Sequence, residues 1–361
     1  MAKIQVLHCA ETIKGGVATY LRELLPLQVK TFGLDAIAVI IPTTQRAELP
    51  CIPGVKILSY NDKKNRILNA LSIAKLTIGF LRDNPTKIVH IHSTFAGATL
   101  RPLIWTLFRN VKVVYCPHGW AWDRPMVYWK RYLTIRIERA LSVFCKRIVC
   151  ISQHEKKTAL AVGINENKLS VVLNGLGNAP TENIPDNITW PKGEKKLLFI
   201  GRFDNQKGVD IFCDALRFLD HRASGLLVGD YVLGDSNEFA LPSNCLKLGW
   251  LSSEKLQSIY ASADALIVPS RWEGFGLVAT EAMRAGLPVI ASNVGGLSEV
   301  IEDKVTGVLI PPNDVQSLVD AVNCLDLHSL KQMGASGKNR FDNHFTIERV
   351  HNEILELYRN L

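Results

Sequence analysis

Residues 265–292 read ALIVPSRWEGFGLVATEAMRAGLPVIAS, and they decide the fold class of the chain. Two apolar runs, 265–268 and 288–291, predict buried strands, and 277–285 between them reads as a helix. Strand, helix and strand in this order predict a parallel sheet, which binds ligands in the crevice at the carboxyl ends of its strands. Glu273 lies where the first strand ends, and Glu281 lies within the helix.

The glycine-rich turn before this helix suits a ligand that carries both phosphates and hydroxyl groups. Bare backbone N–H groups and the positive end of the helix dipole suit a phosphate. A phosphate alone would not favour two nearby carboxylates, whereas vicinal hydroxyls would. A sugar nucleotide carries both kinds of group. The alternative is that Glu273 caps the helix and Glu281 is solvated on its outer face.

Strand and helix alternate along the rest of the chain, with one interruption. The residues from 178 to 196 are polar and contain three prolines, which is typical of a linker. The pattern therefore predicts an α/β protein with domains at 1–178 and 196–345, a linker at 179–195 and a helix at 346–361. The predicted strands are 4–9, 35–41, 55–60, 88–92, 112–116, 147–151, 170–173, 197–200, 225–228, 245–248, 266–268, 288–291 and 307–310.

Five motifs in a fixed order resemble the retaining glycosyltransferases of family 4. They are Lys14-Gly15-Gly16-Val17, Pro117-His118-Gly119, Asn174-Gly175, the segment 201–208 (GRFDNQKG) and the Glu-x7-Glu turn at 273–281. The resemblance covers residues 3–345. It implies the GT-B fold, in which two Rossmann-like domains face a cleft and a C-terminal helix crosses back to the first domain. It also implies front-face displacement with retention, and the lack of a residue that reads as a catalytic nucleophile agrees with this.

The same resemblance assigns roles to individual residues. The catalytic set that it implies is His118, Arg202, Lys207 and Glu273. His118 lies beside the reacting sugar, where it would donate a hydrogen bond, and the two cations stabilise the leaving diphosphate. The donor-binding set is Gly15, Gly16, Gly274, Phe275, Gly276, Leu277 and Glu281, with Glu281 on the ribose hydroxyls. Judged without the resemblance, the cations could be surface charges, the glycines a tight turn and the histidine a structural residue.

No metal or cofactor is expected, and a nucleoside-diphosphate sugar would be the co-substrate. The chain has no Asp-x-Asp triplet, which metal-dependent glycosyltransferases of the other main fold use. His90 and His92 alternate on a predicted strand and could bind a metal. No carboxylate is near them in sequence, so a metal site is not predicted.

The positive charge of the chain lies in its first half. Residues 1–190 hold 25 Lys and Arg against 12 Asp and Glu, a net of +13, whereas residues 191–361 have a net charge of −5. Aromatic and basic residues interleave over 120–147, which suits the interface of an anionic membrane. The alternative is a helix packed on the sheet with a solvated basic edge. No nucleic-acid motif accompanies the charge, so no nucleic-acid partner is expected.

The resemblance implies a hexosyltransferase that moves a sugar to a saccharide acceptor. Together with the membrane interpretation of 120–147, it predicts a lipid-linked acceptor in bacterial surface-polysaccharide synthesis. Eight cysteines without a C-x-x-C pair fit a reducing compartment. The chain has no long apolar run and no signal peptide, so we expect a cytoplasmic protein that is peripheral at the inner face of the plasma membrane. The alternatives are a sugar-nucleotide 2-epimerase and a non-catalytic saccharide-binding module of the same fold.

Overall fold

The chain forms two compact units, which are described separately below. The computed structural model describes residues 4–63, 65–179, 189–231 and 240–361, with the main chain alone at 66 and 253. Unit 1 comprises Met1–Gly175 together with Ile347–Leu361, and unit 2 comprises Leu176–Thr346. Most of the predicted linker, residues 180–188, lies outside the described residues.

Unit 1 contains a parallel sheet flanked by helices. Its strands are β1 (Ile4–Ala10), β2 (Ile37–Pro42), β3 (Val55–Tyr60), β4 (Thr86–His92), β5 (Lys112–Cys116), β6 (Arg147–Cys150) and β7 (Leu169–Val171). Its helices include α1 (Gly16–Phe32), α2 (Arg66–Asp83), α3 (Thr94–Leu107), α4 (Tyr128–Leu141) and α5 (Gln153–Ala161). The strand order is β3-β2-β1-β4-β5-β6-β7. All six residues of β2 are buried, as expected where helices cover both faces of a sheet.

Unit 2 repeats this architecture with a second parallel sheet. Its strands are β8 (Lys195–Ile200), β9 (Ala223–Val228), β10 (Cys245–Gly249), β11 (Ala265–Val268), β12 (Val289–Ser292) and β13 (Gly307–Ile310). Its helices are α6 (Val209–Leu219), α7 (Ser253–Ser262), α8 (Leu277–Arg284), α9 (Leu297–Val300), α10 (Val315–Cys324) and α11 (Leu327–His344). The strand order is β10-β9-β8-β11-β12-β13. Among the described residues, this sheet pairs only in parallel.

The last helix of the chain, α12 (Ile347–Arg359), belongs to unit 1. Its buried face contacts α1, where His351 Nε2 lies 2.8 Å from Thr31 Oγ1. Tyr358 reaches the sheet itself, with its hydroxyl 2.7 Å from His90 Nδ1 on β4. Arg349 donates a hydrogen bond of 2.6 Å to the carbonyl of Leu173. The C-terminal helix therefore completes the packing of the N-terminal sheet.

The predicted α/β class is confirmed strand by strand. Each of the thirteen predicted strands occurs, and no end is shifted by more than two residues. The helix predicted at 277–285 occurs as α8, one residue shorter. Apolar runs of this kind locate buried parallel strands well because both strand faces lie in the core.

Candidate active site

Each sheet has one topological switch point, where neighbouring strands lead off in opposite directions. In unit 1 this point lies between β1 and β4, and in unit 2 it lies between β8 and β11. The loops that follow such strands diverge and leave a crevice at the carboxyl edge of the sheet. In unit 2 the loop after β8 carries Arg202 and Lys207, and the loop after β11 carries Glu273.

Lys207 and Glu273 form an ion pair at the switch point of unit 2. Lys207 Nζ donates to Glu273 Oε2 at 2.5 Å, and the two side chains are only 19% and 13% exposed. The backbone N–H of Lys207 donates to Asp204 Oδ1 at 2.9 Å, which fixes the turn that precedes α6. These two residues lie 66 positions apart in the sequence and were predicted to belong to one site. The structure brings them into direct contact. Glu273 therefore pairs with Lys207 and does not cap α8.

Arg202 lies on the same turn but is more exposed. Its side chain is 48% exposed and lies 3.1 Å from Asp204 Oδ2. It also donates to Gln206 Oε1 at 2.9 Å. Gln206 in turn donates to the carbonyl of Trp272 at 3.1 Å, beside Glu273. The loops after β8 and β11 are therefore tied to each other by hydrogen bonds as well as by the ion pair.

Close backbone approaches hold the Glu273 turn in place. A Cβ on Gly208 would lie 2.2 Å from the carbonyl oxygen of Pro269, and a Cβ on Gly295 would lie 1.8 Å from that of Glu273. Both glycines also have positive φ, +69° and +51°. Gly296 donates its N–H to the carbonyl of Glu273 at 3.3 Å. Only glycine fits these positions without moving the main chain.

The segment Gly274, Phe275, Gly276 and Leu277 leads from this turn into α8. Gly276 caps the helix with φ +98°. The Phe275 ring is 2% exposed and packs against Phe345 at 5.9 Å, so only its main chain is available to a ligand. At the start of α8 the N–H groups of Ala279 and Thr280 donate to the carbonyl of Gly276 at 2.9 and 3.3 Å, and helix geometry leaves those of Leu277 and Val278 without an acceptor inside the helix. The anion site that the sequence predicts for this turn would use these two N–H groups, and it remains a prediction.

Glu281 lies on α8 and is held by a buried tyrosine of α7. Tyr260, which is 2% exposed, donates its hydroxyl to Glu281 Oε2 at 2.9 Å. Burial raises the pKa of Tyr260 well above its ordinary value, and the neighbouring Glu281 charge raises it further. The phenol therefore stays a donor at neutral pH. Glu281 is positioned by this contact and is not simply solvated on an outer face.

The glycine loop of unit 1 follows β1 and opens α1. Gly15 has φ +81°, and a Cβ there would meet no described atom within 4 Å, so the turn requires glycine for its backbone conformation alone. Gly15 and Gly16 are both exposed. Gln45 Oε1 accepts hydrogen bonds from the N–H groups of Ile13 at 2.7 Å and Lys14 at 3.2 Å, which fix the approach to the loop.

His118 follows β5 in a backbone conformation that is uncommon for a side-chain-bearing residue. Its φ is +53°, and Gly119 after it has φ +103°. Its Nε2 lies 2.9 Å from His92 Nδ1, and its ring meets the edge of Tyr20 of α1 at 5.2 Å. Burial lowers its pKa to about 4. His118 is therefore a neutral imidazole at the carboxyl edge of the sheet, where strained residues often mark functional sites.

Behind His118 lies a chain of buried histidines that sequence reasoning did not reveal. His8 Nδ1 lies 2.9 Å from His92 Nε2, and His8 Nε2 lies 2.8 Å from Gln28 Oε1. Desolvation lowers the pKa of His8 to about 4 and holds those of His90 and His92 well below the ordinary value. All three rings are fully buried and neutral. We call Gln28, His8, His92 and His118 the histidine chain.

Two groups of side chains in this region have a composition that could hold a metal ion. They are His8, His90 and His92, and His92, Cys116 and His118, with ligand atoms within 4.8 Å of one another in each group. His8 is the third ligand that sequence spacing did not reveal. Several of these nitrogens already hydrogen-bond to one another. That the protein needs no metal remains a prediction.

The segment 120–147 divides into a buried and an exposed part. Trp120 and Trp122 are 1% and 2% exposed and stack at 4.3 Å in the core of unit 1, so the prediction that they lie at a membrane interface is wrong. Their rings fill the space beside β5, which interface residues could not do. By contrast, Tyr128, Trp129 and Tyr132 on α4 are 84%, 61% and 55% exposed.

Most of the rest of α4 is also exposed, apart from the partly buried Thr134, Ile135 and Leu141 and one buried ion pair. Glu138 accepts a hydrogen bond of 2.6 Å from Arg101 of α3, and this pair anchors the helix. Leu133 and Ile137 are 50% and 45% exposed. Apolar surface of this extent usually marks an interaction site. Among the described residues, no helix combines the length and apolar character needed to cross a bilayer.

Comparison with known proteins identifies the family. Residues 14–176 match Glycosyltransferase Family 4, and residues 180–339 match Glycosyl transferases group 1. The chain belongs to the group 1 glycosyltransferases and has the GT-B fold.

Three similar proteins illustrate the relationship. An uncharacterized 41.2 kDa protein in the cps region of Klebsiella pneumoniae is 33% identical over 366 residues, which cover 99% of this chain and 100% of that one. The UDP-Gal:alpha-D-GlcNAc-diphosphoundecaprenol alpha-1,3-galactosyltransferase of Escherichia coli is 27% identical over 302 residues, which cover 77% of this chain and 76% of that one. The structure of Anabaena HepE in complex with UDP-glucose superposes with a TM-score of 0.81 at 18% identity, over 99% and 100% of the two chains. Bacterial polysaccharide enzymes are thus among the relatives.

The predicted site residues fall into two groups. Gly15, Gly16 and His118 lie in unit 1, and the remaining predicted residues lie in unit 2. Sequence reasoning missed Tyr260, Gly295, Gly296, Gln28 and His8. The Gly-Gly pair at 295–296, in the loop after the predicted strand 288–291, was a usable signal. No sequence signal pointed to Tyr260, Gln28 or His8, because only the fold brings them to their partners.

Proposed function

We propose that the protein transfers a sugar, with retention of anomeric configuration, from a nucleoside-diphosphate sugar to a lipid-linked saccharide in the synthesis of a bacterial surface polysaccharide. The observation that supports this best is the Lys207–Glu273 pair at the switch point of unit 2. In this proposal the Lys207 ammonium would contact the diphosphate, and the neighbouring Glu273 carboxylate would contact the sugar hydroxyls. Anabaena HepE, which has a similar fold, binds UDP-glucose.

The residues of unit 2 divide the donor between them. Lys207 and Arg202, with the first N–H groups of α8, would hold the diphosphate. Glu273 would accept hydrogen bonds from the hydroxyls of the sugar. Glu281, held by Tyr260, would accept those of the ribose. In the free protein Lys207 and Glu273 compensate each other's charge, so both stay oriented until the donor replaces their contact with its own groups.

The reaction needs no covalent enzyme intermediate in this proposal. The bond from the anomeric carbon to the leaving phosphate oxygen breaks, and a bond to the acceptor oxygen forms on the same face of the sugar. The acceptor proton passes to the departing phosphate. Lys207 and Arg202 stabilise the charge that develops there, and such fixed charges contribute several kcal/mol, on the order of 3 or more. We assign His118 a contact with the transferred sugar, and we propose that no metal ion is needed.

For the acceptor we propose an undecaprenyl-diphosphate saccharide. The Escherichia coli relative is named for such an acceptor. The exposed face of α4 offers a way to reach a lipid-linked substrate. Trp129 and Tyr132 would lie at headgroup depth, and Lys130 and Arg136, which are within 6 Å of these rings, would contact anionic lipid. The protein would then be cytoplasmic and peripheral at the inner face of the plasma membrane.

A binding panel tests the donor half of this proposal. Purified protein is heated with UDP-, GDP- and ADP-sugars, and the unfolding midpoint is measured. A donor at a hundred times its Kd stabilises the protein by about 2.7 kcal/mol, and one nucleotide series should therefore raise the midpoint selectively. Glu281→Gln should reduce the shift, whereas Lys331→Ala on the exposed side of α11 should keep it. If none of these sugar nucleotides shifts the midpoint, the proposed donor class is wrong.

A further inference from the structure

The hydrogen bonds behind His118 form a continuous path in unit 1. The path runs from the Gln28 amide to His8 Nε2, from His8 Nδ1 to His92 Nε2, and from His92 Nδ1 to His118 Nε2. Its three donor–acceptor distances are 2.8, 2.9 and 2.9 Å. A neutral imidazole carries one proton, so one of its nitrogens donates and the other accepts. The proton position on one ring therefore determines the position on the next.

The Gln28 amide determines which nitrogen donates and which accepts in every hydrogen bond of the histidine chain. Its carbonyl oxygen Oε1 can only accept, so His8 carries its proton on Nε2 and accepts at Nδ1. His92 must then donate from Nε2 and accept at Nδ1. His118 in turn donates from Nε2, and its Nδ1 keeps a lone pair. Among the described residues, no protein group hydrogen-bonds to that Nδ1 atom.

We propose that Gln28, His8 and His92 are positioning residues that fix His118 in its Nε2–H tautomer, with Nδ1 presented to the sugar as a hydrogen-bond acceptor. The proposal rests on the proposed function for the identity of the ligand, but not for the tautomer. In this proposal His118 accepts a hydrogen bond from the sugar, whereas the family resemblance implies that it donates one. The ligand group that His118 recognises is then a sugar hydroxyl that donates.

The surroundings of the histidine chain keep its rings neutral and ordered. His8 and His92 are completely buried, and their rings stack at 5.3 Å with 12° between their planes. The titratable groups that face the chain are His90, Tyr20, Tyr358 and Cys116; burial lowers the pKa of His90 and raises those of the other three. These groups are therefore uncharged at neutral pH. None of them carries a charge that competes with the hydrogen bonds for control of the tautomers.

Tyr358 and the remaining histidine lie beside this path. Burial raises the pKa of Tyr358, and the Gln28 amide acts in the opposite direction. Tyr358 also holds His90 Nδ1 at 2.7 Å. His90 thus pairs with α12 and leaves the path through His8 and His92 unbranched.

The tautomers can be read directly in the ligand-free protein. Protein labelled with 15N-histidine is examined at neutral pH by long-range 1H–15N correlation, and the His118 signals are assigned by their loss in His118→Asn. We expect protonated Nε2 and unprotonated Nδ1 in His118, His8 and His92. A His118 protonated on Nδ1, or on both nitrogens, would overturn the proposal whether or not the protein transfers a sugar.

A pair of variants on α1 separates positioning from packing. Gln28→Met keeps the length of the side chain but removes its acceptor, so a fraction of His118 should change to the Nδ1–H form. One hydrogen bond corresponds to about a tenfold factor in such an equilibrium, so a tautomer ratio of about 10:1 would become about 1:1. The kcat should then fall about twofold, with a smaller change in KM. Tyr20→Phe is the matched control, since it removes a buried hydroxyl that has no hydrogen-bond partner among the described residues and lies outside the chain. Its His118 tautomer should be unchanged.

Two other results would count against the proposed role of the histidine chain. An unchanged tautomer in folded Gln28→Met would show that Gln28 does not set the direction. A stoichiometric transition metal in purified protein, found by elemental analysis and lost in His8→Asn, would instead assign these rings to a metal site. If the tautomer is as expected but no sugar nucleotide binds, the proposed role of the histidine chain is retained and the proposed donor class is rejected. The two proposals are therefore tested separately.

Discussion

Acid should destabilise unit 1 selectively, because its histidines are buried in their neutral form. The perturbation is a change from about pH 7 to about pH 5, across the range where histidines in an unfolded chain gain a proton. Folding lowers the pKa of His8 from 6.5 to about 4. Between these values the unfolded state binds more protons than the folded state, so stability falls as the pH falls.

The size of the effect follows from the shift of His8 alone. One pKa unit corresponds to about 1.4 kcal/mol, so the change to about pH 5 removes roughly 2 kcal/mol. The full shift, reached near pH 4, corresponds to about 3 kcal/mol. Burial lowers the pKa values of His90, His92 and His351 as well, and their contributions have the same sign. The stabilisation is complete above about pH 6.5 and is lost towards pH 4.

Hydrogen exchange measured by mass spectrometry can follow the two units separately. Peptides from β1 and β4 report on unit 1, and peptides from β8 and β11 report on unit 2, with rates corrected for the intrinsic effect of pH. The described histidines of unit 2, at positions 221, 328 and 344, are all exposed and serve as the internal control. An equal loss of protection in both units, or no loss in unit 1, would show that the buried histidines are not the cause of acid sensitivity.

Three further predictions concern the proposed site and surface. Lys207→Ala should lower kcat by about a hundredfold or more, as expected for one lost electrostatic donor, whereas Lys331→Ala should not; near-normal turnover would contradict the role of Lys207. Tyr260→Phe should weaken nucleotide binding by about tenfold, the effect of one hydrogen bond to a charged group, and unchanged affinity by calorimetry would contradict the positioning of Glu281. The protein should sediment with anionic liposomes at low salt and less at high salt, and Trp129→Glu should abolish this while Phe218→Glu, on an exposed residue of unit 2, should not. Salt-independent sedimentation would remove the electrostatic basis of membrane binding.

The fold was predictable from sequence because its strands are short apolar runs between glycine and proline breaks. The run 265–268 and the run 288–291 identify β11 and β12 without knowledge of their neighbours. The resemblance to family 4 assigned Glu273 and Lys207 to one site, and this agrees with their positions after two strands, because the carboxyl ends of parallel strands share an edge. Their direct contact could not be predicted, since it depends on which strands are neighbours in the sheet.

The residues that were missed are those whose partners are distant in sequence. His8 meets His92 across 84 positions, and Tyr358 meets His90 across 268. The tryptophans at 120 and 122 were misplaced for a related reason. A Trp-x-Trp pair beside basic residues fits both a membrane interface and a core. Only the burial of the two rings, which stack on each other in unit 1, decides between them. Composition describes a segment, whereas burial depends on its tertiary neighbours.

The most direct test of sugar transfer follows the anomeric carbon through one reaction. The protein is incubated with the sugar nucleotide that stabilises it, with and without an undecaprenyl-diphosphate saccharide, and the products are examined by NMR. We expect one nucleoside diphosphate released for each new glycosidic bond, the anomeric configuration of the donor retained in the product, and full activity in the presence of EDTA. Conversion of the sugar nucleotide into its epimer without any acceptor would contradict transfer and identify an isomerase.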